Sequence, residues 1–430
     1  MEVEELKRKL MGLWEKTTHN AKDKLAGLFD FYFDENLIEY CEHDGKVVSA
    51  ICGIPYVFGF GINKLRGLYV IPLSSEEGFR KKGLLSELFC KFNDRVKSDF
   101  DFTFLVPQTQ LLADYYGTHG YLSSFFILEE RYTPLHDFKN DYLLSLTESI
   151  PRIRELKKDL LDEIHVMELD RSDAALTAEI IDFIEEMEKK GASSINLCHT
   201  KKDLQYFFSN DPVRKPVVFV AKDTDKHIVG VAFTEKEDLK RIKVGTNYVT
   251  DIVAYFALLE FIKKKFADHS MSIISSDPKY HSNSLIQQTY ASENEAGGDL
   301  DNTFNNIEIP FNINKLLNPL GMARLLRFEN IIKYVAETHS DADFKLFIRD
   351  YEMENKEDTN KNDNGFPIYV VKNGQFSIKR IENVSSDHSV LTLSQKEVSE
   401  LLLRKQDSNN LIMEAFGIPR LNLQMRLLPC

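Results

Sequence analysis

A basic segment with one glycine stands between two predicted strands in the first third of the sequence. A helix N-terminus exposes unpaired N–H groups and carries partial positive charge, and a glycine there lets a phosphate approach the backbone closely. The basic side chains add positive charge beside these groups. The segment predicts a phosphate-binding loop, and the plainer alternative is a basic surface at the start of a helix. Its residues are Arg80, Lys81, Lys82, Gly83, Leu84 and Leu85.

Two adjacent tyrosines follow the second of these predicted strands. The sequence Tyr115-Tyr116-Gly117-Thr118-His119-Gly120-Tyr121 comes after the predicted strand 102–106. A tyrosine held near a bound ligand can donate a proton to a leaving group. The alternative is that both tyrosines are core aromatics. His119 is interpreted as a packing or surface residue in preference to a base.

The elements that must position these residues form a fixed order along the chain. A strand at 66–71 precedes a loop at 74–79, and the basic segment opens the helix that follows. The backbone of Leu68, Tyr69 and Val70 in that strand can pair with an extended ligand. The order strand, loop, helix, strand and helix places a phosphate loop beside a tyrosine, which argues for layers of helices on a sheet.

The basic segment and the tyrosine segment Ala113–Tyr121 together resemble the GNAT N-acetyltransferase superfamily. That family's phosphate loop reads Arg/Gln-x-x-Gly-x-Gly/Ala, and Leu85 departs from it at the last position. The resemblance implies acetyl-CoA as co-substrate and a primary amine as acceptor. It also implies that Tyr116, four residues before the Gly-aromatic pair, protonates the departing thiolate. The coenzyme contacts that it implies are Leu68, Tyr69, Val70, Arg80, Lys81, Lys82, Gly83, Leu84 and Leu85.

The whole chain resembles the Eis-type (enhanced intracellular survival) acetyltransferases. The fold expected from this resemblance is α+β, with two tandem GNAT-like domains and a C-terminal domain like sterol carrier protein. The boundaries are 1–148, 149–310 and 311–430. The resemblance further implies an aminoglycoside-like or lysine-like acceptor, a homo-oligomer, and a catalytic base formed by the C-terminal carboxylate, here that of Cys430. The alternative for the apolar tail 421–430 is that it simply packs.

The second domain is expected to be a degenerate copy of the first. In the first segment, strands at 37–41 and 47–52 are predicted around a hairpin turn at Asp44-Gly45, ahead of the helix and the strand at 102–106. A strand, a turn at 223–226, a strand, a helix at 250–266 and a strand at 271–275 repeat that order. The Arg-x-x-Gly pattern and the tyrosine pattern are both missing from this copy. Its first helix is predicted at 172–190 with Ser172 as N-cap, and 150–170 is interpreted as a linker. The second domain is therefore predicted to be structural.

The third segment is predicted to be a small α+β domain. It combines a helix containing Leu325, Leu326, Ile331 and Ile332 with several strands and a hairpin turn at Asn373-Gly374. A capping box of Ser394 and Glu397 opens its last helix. A competing hypothesis follows from this domain: a protein that binds acetyl-CoA or an apolar ligand without catalysis. Three aromatic residues are candidates for the wall of the acceptor site, with core packing as the alternative: Phe29, Tyr32 and Phe33.

Composition limits the remaining function classes. The net charge of −13 argues against nucleic acid as the main partner, and it would suit a cationic acceptor or simply keep the protein soluble. Five scattered cysteines without a CxxC pair favour reduced thiols and disfavour zinc, so no metal is expected. The same cysteines favour a cytoplasmic protein. The charged residues 1–10 do not resemble a signal peptide, and the lack of an 18-residue apolar run predicts no membrane span.

Overall fold

The computed structural model describes residues 2–17, 27, 31–60, 63–135, 163–189, 195–209, 216–275, 314–349, 366–381, 384, 389–403 and 423–424. Its helices are α1 (Val3–Thr17), α2 (Leu84–Val96), α3 (Gln110–Thr118), α4 (Ala174–Lys189), α5 (Lys201–Ser209), α6 (Ile252–Lys265), α7 (Phe328–Thr338) and α8 (Gln395–Leu403). Its strands are β1 (Ile38–His43), β2 (Lys46–Phe60), β3 (Asn63–Ser75), β4 (Phe102–Leu105), β5 (Leu122–Tyr132), β6 (His165–Glu168), β7 (Ile195–Cys198), β8 (Val217–Lys222), β9 (Ile228–Lys236), β10 (Arg241–Val249), β11 (Ser270–Ser275), β12 (Asn314–Leu325), β13 (Asp343–Ile348), β14 (Phe366–Lys372), β15 (Gln375–Ile381), β16 (Val390–Leu393) and β17 (Leu423–Gln424).

The described residues fall into two compact units. The first takes its residues from Met1–Phe125, Ser193–Cys198 and Pro319–Gln424, and the second from Phe126–Ala192, His199–Asn318 and Met425–Cys430. The first unit therefore combines early and late parts of the chain. The division at 148 and 310 that the sequence suggests stays a prediction.

The sheet of the first unit has the strand order β17-β7-β2-β3-β4-β12, and β1 pairs with β2 as well. The β1–β2 hairpin turns at Asp44 and Gly45, which have φ of 48° and 73°, as the Asp-Gly pair predicts. The strands β3 and β4 are parallel, and α2 connects them. Strand β12 lies antiparallel to β4 on its other side, with Met322 opposite Leu105 and Leu325 opposite Phe102.

The assignment of Leu325 and Leu326 to a helix is wrong. Leu325 ends β12 and pairs in the sheet, and the helix begins only at Phe328. The buried Asp101 carboxylate fixes this junction, since it accepts hydrogen bonds from the Asn330 side chain at 2.9 Å and the Arg66 backbone N–H at 2.6 Å. The apolar spacing of the helix continues back through Leu326 and Leu325, because the end of β12 is also apolar and buried.

The two faces of the β3–β4 pair carry different side chains, because successive residues of a strand point to opposite faces. Leu68 and Val70 lie in a buried cluster with Leu88 and Phe89 of α2, here called the α2 cluster. The opposite face carries an aromatic cluster. It comprises Tyr56, Phe58, Tyr69, Phe102, Phe104 and Phe125.

Gly67 lies directly against the aromatic cluster, where a side chain would not fit. A Cβ atom at this position would lie 2.8 Å from Phe58 Cε2 and 2.9 Å from Phe102 Cζ. We expect Gly67→Ala to lower the free energy of unfolding by about 1–3 kcal/mol, because two buried rings must shift. Gly12→Ala is the matched control, since nothing lies within 4 Å of its Cβ in α1 and it should stabilise the protein by about 0.5–1 kcal/mol. Urea titration compares the two, and equal effects would contradict the packing argument.

The second unit contains a sheet in which β5 is followed by β11, β10, β9, β8 and β6. Helix α6 packs on one cluster of this unit, and α4 and α5 pack on another. The buried Glu188 carboxylate accepts hydrogen bonds from the Tyr248 hydroxyl and the His199 backbone N–H, both at 2.7 Å. Residues 165–168 form β6 and pair with β8, so the predicted linker ends in a strand. That this unit is a degenerate copy stays a prediction.

One cap in this unit differs from the prediction. Asp173, and not Ser172, caps α4, because its carboxylate accepts the Leu176 backbone N–H at 2.9 Å. Ser172 instead donates its hydroxyl and its backbone N–H to the Asp170 carboxylate at 2.7 and 2.9 Å. Ser172 and Asp173 are both residue types that commonly cap helices, so the sequence alone does not decide which of them is the N-cap.

A separate sheet in the first unit has the order β15-β14-β13-β16. Its β14–β15 hairpin turns at Asn373 and Gly374 with φ of 49° and 74°, as predicted. The capping box is also confirmed: the Glu397 N–H donates to Ser394 Oγ at 3.2 Å, and the Ser394 N–H donates to Glu397 Oε2 at 2.7 Å. Within the described residues, none of the helices is long and apolar enough to cross a membrane.

Candidate active site

Strand β3 changes its pairing at the residues predicted to face the coenzyme. Its parallel ladder with β4 runs from Gly67 to Tyr69, whose partner is Phe104. Its antiparallel ladder with β2 is irregular just beyond, where Ile51 pairs with Leu73 and Gly53 pairs with Val70. Two residues of β3 thus stand opposite one of β2, which is a β-bulge. Leu68 and Tyr69 lie within both ladders, and Val70 is the first residue past the β4 ladder.

The loop after β3 is turned sharply by two residues with positive φ. Strand β3 extends to Ser75, so the predicted loop begins later than 74, and Glu77–Phe79 form one turn of 3-10 helix. Lys81 has φ of 62° and Gly83 has φ of 81°. A positive φ is uncommon in a residue other than glycine and is found at strained or functional positions. The loop is therefore held in a specific, costly shape.

The basic side chains lie in this turn, before the helix. Helix α2 begins at Leu84, because Gly83 is its N-cap in the left-handed conformation. Arg80 is anchored by its Nε, which donates to the Ser75 carbonyl at 3.1 Å, and Lys82 Nζ lies 4.7 Å from the centroid of the Phe79 ring. Arg80, Lys81, Lys82 and Gly83 are exposed to solvent.

Among the residues that the structure describes, no side chain caps the first turn of α2. Gly83 offers no side-chain acceptor, so the first backbone N–H groups of the helix keep their capacity to bind an anion. A Cβ at Gly83 would meet nothing within 4 Å, so glycine is required there by its φ and not by lack of space. The residues present fit a pyrophosphate, which would lie at the helix N-terminus beside exposed cationic side chains.

Tyr116 lies on α3 with its ring in the α2 cluster. It is 7% exposed, and its ring centroid lies 6.0 Å from that of Phe89. Burial raises the pKa of Tyr116 to about 12, with a smaller contribution from Tyr115. Among the described residues its hydroxyl has no hydrogen-bond partner. Such a tyrosine stays protonated at neutral pH and can donate its proton to a group that enters the site.

The neighbouring Tyr115 has a different environment. Its hydroxyl lies 3.3 Å from Ser86 Oγ, which lies 3.3 Å from His119 Nε2. His119 stacks on Phe89 with ring centroids 5.0 Å apart. Burial, and then the Arg324 guanidinium, hold the pKa of His119 below its usual range, so the neutral ring can accept a hydrogen bond. Ser86 lies in the first turn of α2, so these three groups tie α3 to the phosphate-loop helix.

Arg324 contributes to the candidate active site, and the sequence did not reveal this. It lies on β12, and its Nη1 donates to the His119 carbonyl at 3.0 Å, at the C-terminal end of α3. A cation at a helix C-terminus is favourable because the last carbonyls carry partial negative charge. Arg324 thereby stabilises the end of the helix that bears Tyr116. Nothing in the local sequence indicates that a residue about 200 positions later lies there.

The structure brings together part of the predicted site. Leu68, Val70, Leu85 and Tyr116 all belong to or pack against the α2 cluster. Leu85, which departs from the family pattern, contributes its side chain to this cluster. Tyr69 points to the opposite face, where its ring stacks on Phe104. Cys430 and Phe29 lie outside the described residues.

The other two candidates for the acceptor wall are described. Phe33 packs against the buried cluster of α1, where Lys7 Nζ lies 4.9 Å from its ring centroid. The ring of Tyr32 lies edge-on to Phe31, with centroids 4.7 Å apart. For Phe33, these contacts agree with the core-packing alternative.

Solved structures of similar fold cover nearly the whole chain. A conserved protein from Enterococcus faecalis V583, called "Probable N-Acyltransferase", superposes with a TM-score of 0.65 at 12% identity, covering 100% of this chain and 98% of that one. A GCN5-related N-acetyltransferase from Kribbella flavida gives 0.61 at 13% identity, covering 96% and 90%. The chain has the GCN5-related N-acetyltransferase fold.

A third neighbour with this GCN5-related N-acetyltransferase fold is Eis1 from Mycobacterium abscessus. It has a TM-score of 0.58 at 11% identity and covers 97% of this chain and 91% of that one. Comparison with models of protein families and with curated protein sequences gives no match. At these identities the likeness extends to the fold, and the chemistry has to be argued from the site itself.

Proposed function

We propose that this protein is an acetyl-CoA-dependent N-acetyltransferase that acetylates a primary amine. The observation that carries the proposal is the position of Tyr116, whose ring packs in the same buried cluster as Leu68 and Val70 of β3. That strand leads directly to the strained loop and the uncapped start of α2. The proposed proton donor, Tyr116, and the proposed phosphate-binding N-terminus of α2 thus lie in the same compact unit of the chain.

The acetyl-CoA would bind through its phosphates at the phosphate loop and through its pantetheine along β3. The N–H groups of Gly83, Leu84 and Leu85 would hold the pyrophosphate, with Arg80, Lys81 and Lys82 supplying positive charge. Past the β4 ladder, Val70 and the residues of the bulge have backbone groups that can pair with pantetheine amides. Leu68 and Tyr69 are already paired, so they would contribute less backbone hydrogen bonding than the family resemblance implies.

The transfer would proceed by direct attack of the neutral amine on the thioester carbonyl. A C–N bond forms, the C–S bond breaks, and the amine loses one proton. The Tyr116 hydroxyl, which its raised pKa keeps protonated, gives its proton to the departing thiolate. The tyrosinate then recovers a proton from solvent or from the base that deprotonates the amine.

The proposal is tested by release of free thiol from acetyl-CoA in the presence of a panel of amines. We expect thiol release that depends on both the amine and the enzyme, with an N-acetylated product of matching mass. The competing hypothesis is a protein that binds acetyl-CoA without turnover. Tight acetyl-CoA binding by calorimetry, together with no release above hydrolysis for any amine, would favour it.

The other competing hypothesis is an apolar-ligand carrier, and a described cavity bears on it. The cavity is about 10 Å³, lies among α7, β13, β16 and α8, and is lined by apolar side chains such as Ile332, Phe344 and Leu402. That volume is about the size of one water molecule. It gives no support to binding of a sterol-sized ligand in this part of the molecule.

For the base, we propose the C-terminal carboxylate of Cys430, as the Eis-type resemblance implies. We expect that appending a short Gly-Ser segment after Cys430 will lower turnover with little effect on acetyl-CoA binding. Steady-state kinetics and calorimetry on the same sample separate the two effects, and a Cys430→Ser variant, which keeps the carboxylate, is the control. Unchanged turnover in the extended protein would remove this carboxylate from the mechanism.

The same resemblance supports a homo-oligomer of Eis type with three domains, the second a degenerate GNAT copy and the third like sterol carrier protein. The scattered cysteines favour a location in the cytoplasm. An aminoglycoside-like or lysine-like acceptor also fits. The net charge of −13 is consistent with such cationic amines and with no role for nucleic acid.

A further inference from the structure

The aromatic cluster lies where the β3–β4 ladder ends. Tyr69 and Phe104 are the last pair of that ladder, and their rings stack with centroids 5.1 Å apart and planes at 25°. Tyr56 of β2 lies next to both, with ring centroids 6.4 Å from Tyr69 and 6.1 Å from Phe104. Three aromatic rings therefore adjoin the point where β3 leaves β4.

This cluster faces away from Tyr116. Leu68 and Val70 point into the α2 cluster with Tyr116, so Tyr69 between them points to the other face of the sheet. The face with Tyr116 carries the buried side chains of α2 and the Tyr116 ring itself. An acceptor would therefore approach a thioester at the end of the ladder from the face with Tyr69, whose side chain is partly exposed.

The four phenylalanines of the cluster are buried, and its two tyrosines are partly exposed. Phe58, Phe102, Phe104 and Phe125 are each 0% exposed. Tyr56 and Tyr69 are partly exposed to solvent. The α1 helix covers the same face further along, over Ala50 and Cys52. The two tyrosines thus form the partly exposed edge of this aromatic cluster.

We propose that Tyr56 and Tyr69, backed by Phe104, form an acceptor subsite that binds a second ammonium group of a diamine or polyamine. The proposal rests on the acetyltransferase function proposed above. An amine has to lose its proton before it attacks, so the reacting nitrogen cannot itself keep a cation–π contact. A second amino group keeps its charge at neutral pH and can lie over an aromatic face, which attracts cations.

The test compares two acceptors that share one carbon chain and differ by one ammonium group, namely 1,4-diaminobutane and n-butylamine. Their kcat/KM ratio is measured in the wild type, in Tyr56→Leu and Tyr69→Leu, and in Tyr56→Phe and Tyr69→Phe. We expect the wild type to prefer the diamine. The Leu variants should lose about 5- to 30-fold of that preference and the Phe variants should keep it, because phenylalanine retains the aromatic face.

Tyr40→Leu is the control, since Tyr40 is a partly buried tyrosine that packs against a different cluster, the one formed by buried side chains of α1 such as Leu10 and Trp14. It should leave the ratio unchanged. The inference is overturned if the Leu variants keep the wild-type ratio. It is also overturned if the wild type uses both amines equally well, and in that case the acetyltransferase function still stands.

Failure of the acetyltransferase function gives a different result. No thiol release with any amine would refute the function, and calorimetric titration of 1,4-diaminobutane then decides the inference. Binding that is lost in both Leu variants and kept in both Phe variants supports the subsite. Binding that is the same in all variants, or no binding by the wild type, overturns it.

Discussion

Tyr116→Phe is expected to lower kcat by about 10²- to 10⁴-fold, the usual contribution of a positioned general acid. Phenylalanine keeps the ring in the α2 cluster and removes only the hydroxyl, which has no hydrogen-bond partner among the described residues. The fold and the affinity for acetyl-CoA should therefore be unchanged. Steady-state kinetics, acetyl-CoA titration and thermal unfolding on one preparation separate these quantities.

The adjacent tyrosine provides the matched control. Tyr115→Phe removes a hydroxyl that lies 3.3 Å from Ser86 Oγ and leaves Tyr116 intact, so its effect on kcat should be far smaller. The pH profile gives a second check. Since burial raises the pKa of Tyr116 to about 12, wild-type kcat should not fall between pH 8 and pH 10 through loss of this proton. A Tyr116→Phe enzyme with wild-type kcat would remove Tyr116 from the mechanism.

Gly83→Glu is expected to weaken acetyl-CoA binding by about 10- to 100-fold. Gly83 has φ of 81°, a conformation that costs a residue with a Cβ about 1–2 kcal/mol. The new carboxylate would also repel the pyrophosphate at the N-terminus of α2, where the backbone otherwise attracts an anion. Calorimetric titration of acetyl-CoA measures the loss.

Two further variants divide this effect into its causes. Gly83→Ala introduces the backbone strain without the charge, so its loss of affinity should be smaller. Gly78→Glu introduces the same charge in the same loop at a glycine without positive φ, where a Cβ meets nothing within 4 Å. We expect it to bind acetyl-CoA nearly as well as the wild type. Equal affinities for Gly83→Glu and the wild type would defeat the assignment of the phosphate loop.

The local sequence was enough to predict the order of elements around Tyr116. The strand, the basic turn, the helix and the second strand each carry their own signals, such as the glycine before α2 and the mostly apolar run of β4. Tyr115 and His119 are four residues apart, which already suggests that they share one side of a helix. The hairpins at Gly45 and Gly374 were predictable for the same local reason.

Pairings between distant segments could not be predicted in this way. The local sequence does not predict strand β12, and it assigns the last residue of that strand, Leu325, to the following helix, because the apolar spacing of α7 continues back to Leu325 and nothing local indicates that β4 is the partner of β12. Arg324 was missed for the same reason. Strand β10 has no clear local signal, since Arg241–Val249 mixes charged and apolar residues. Its pairing with β9 and β11 on either side makes it a strand.

The pairing of β4 with β12 has a consequence for synthesis of the chain. The strand that completes the sheet beside β4 is translated about 200 residues after it, which takes about 10–40 s at typical rates of elongation. Throughout that interval the backbone groups on one edge of β4 have no partner, and an unpaired strand edge is a template for aggregation. This protein should therefore depend on chaperones while it is being made, more than its finished structure suggests.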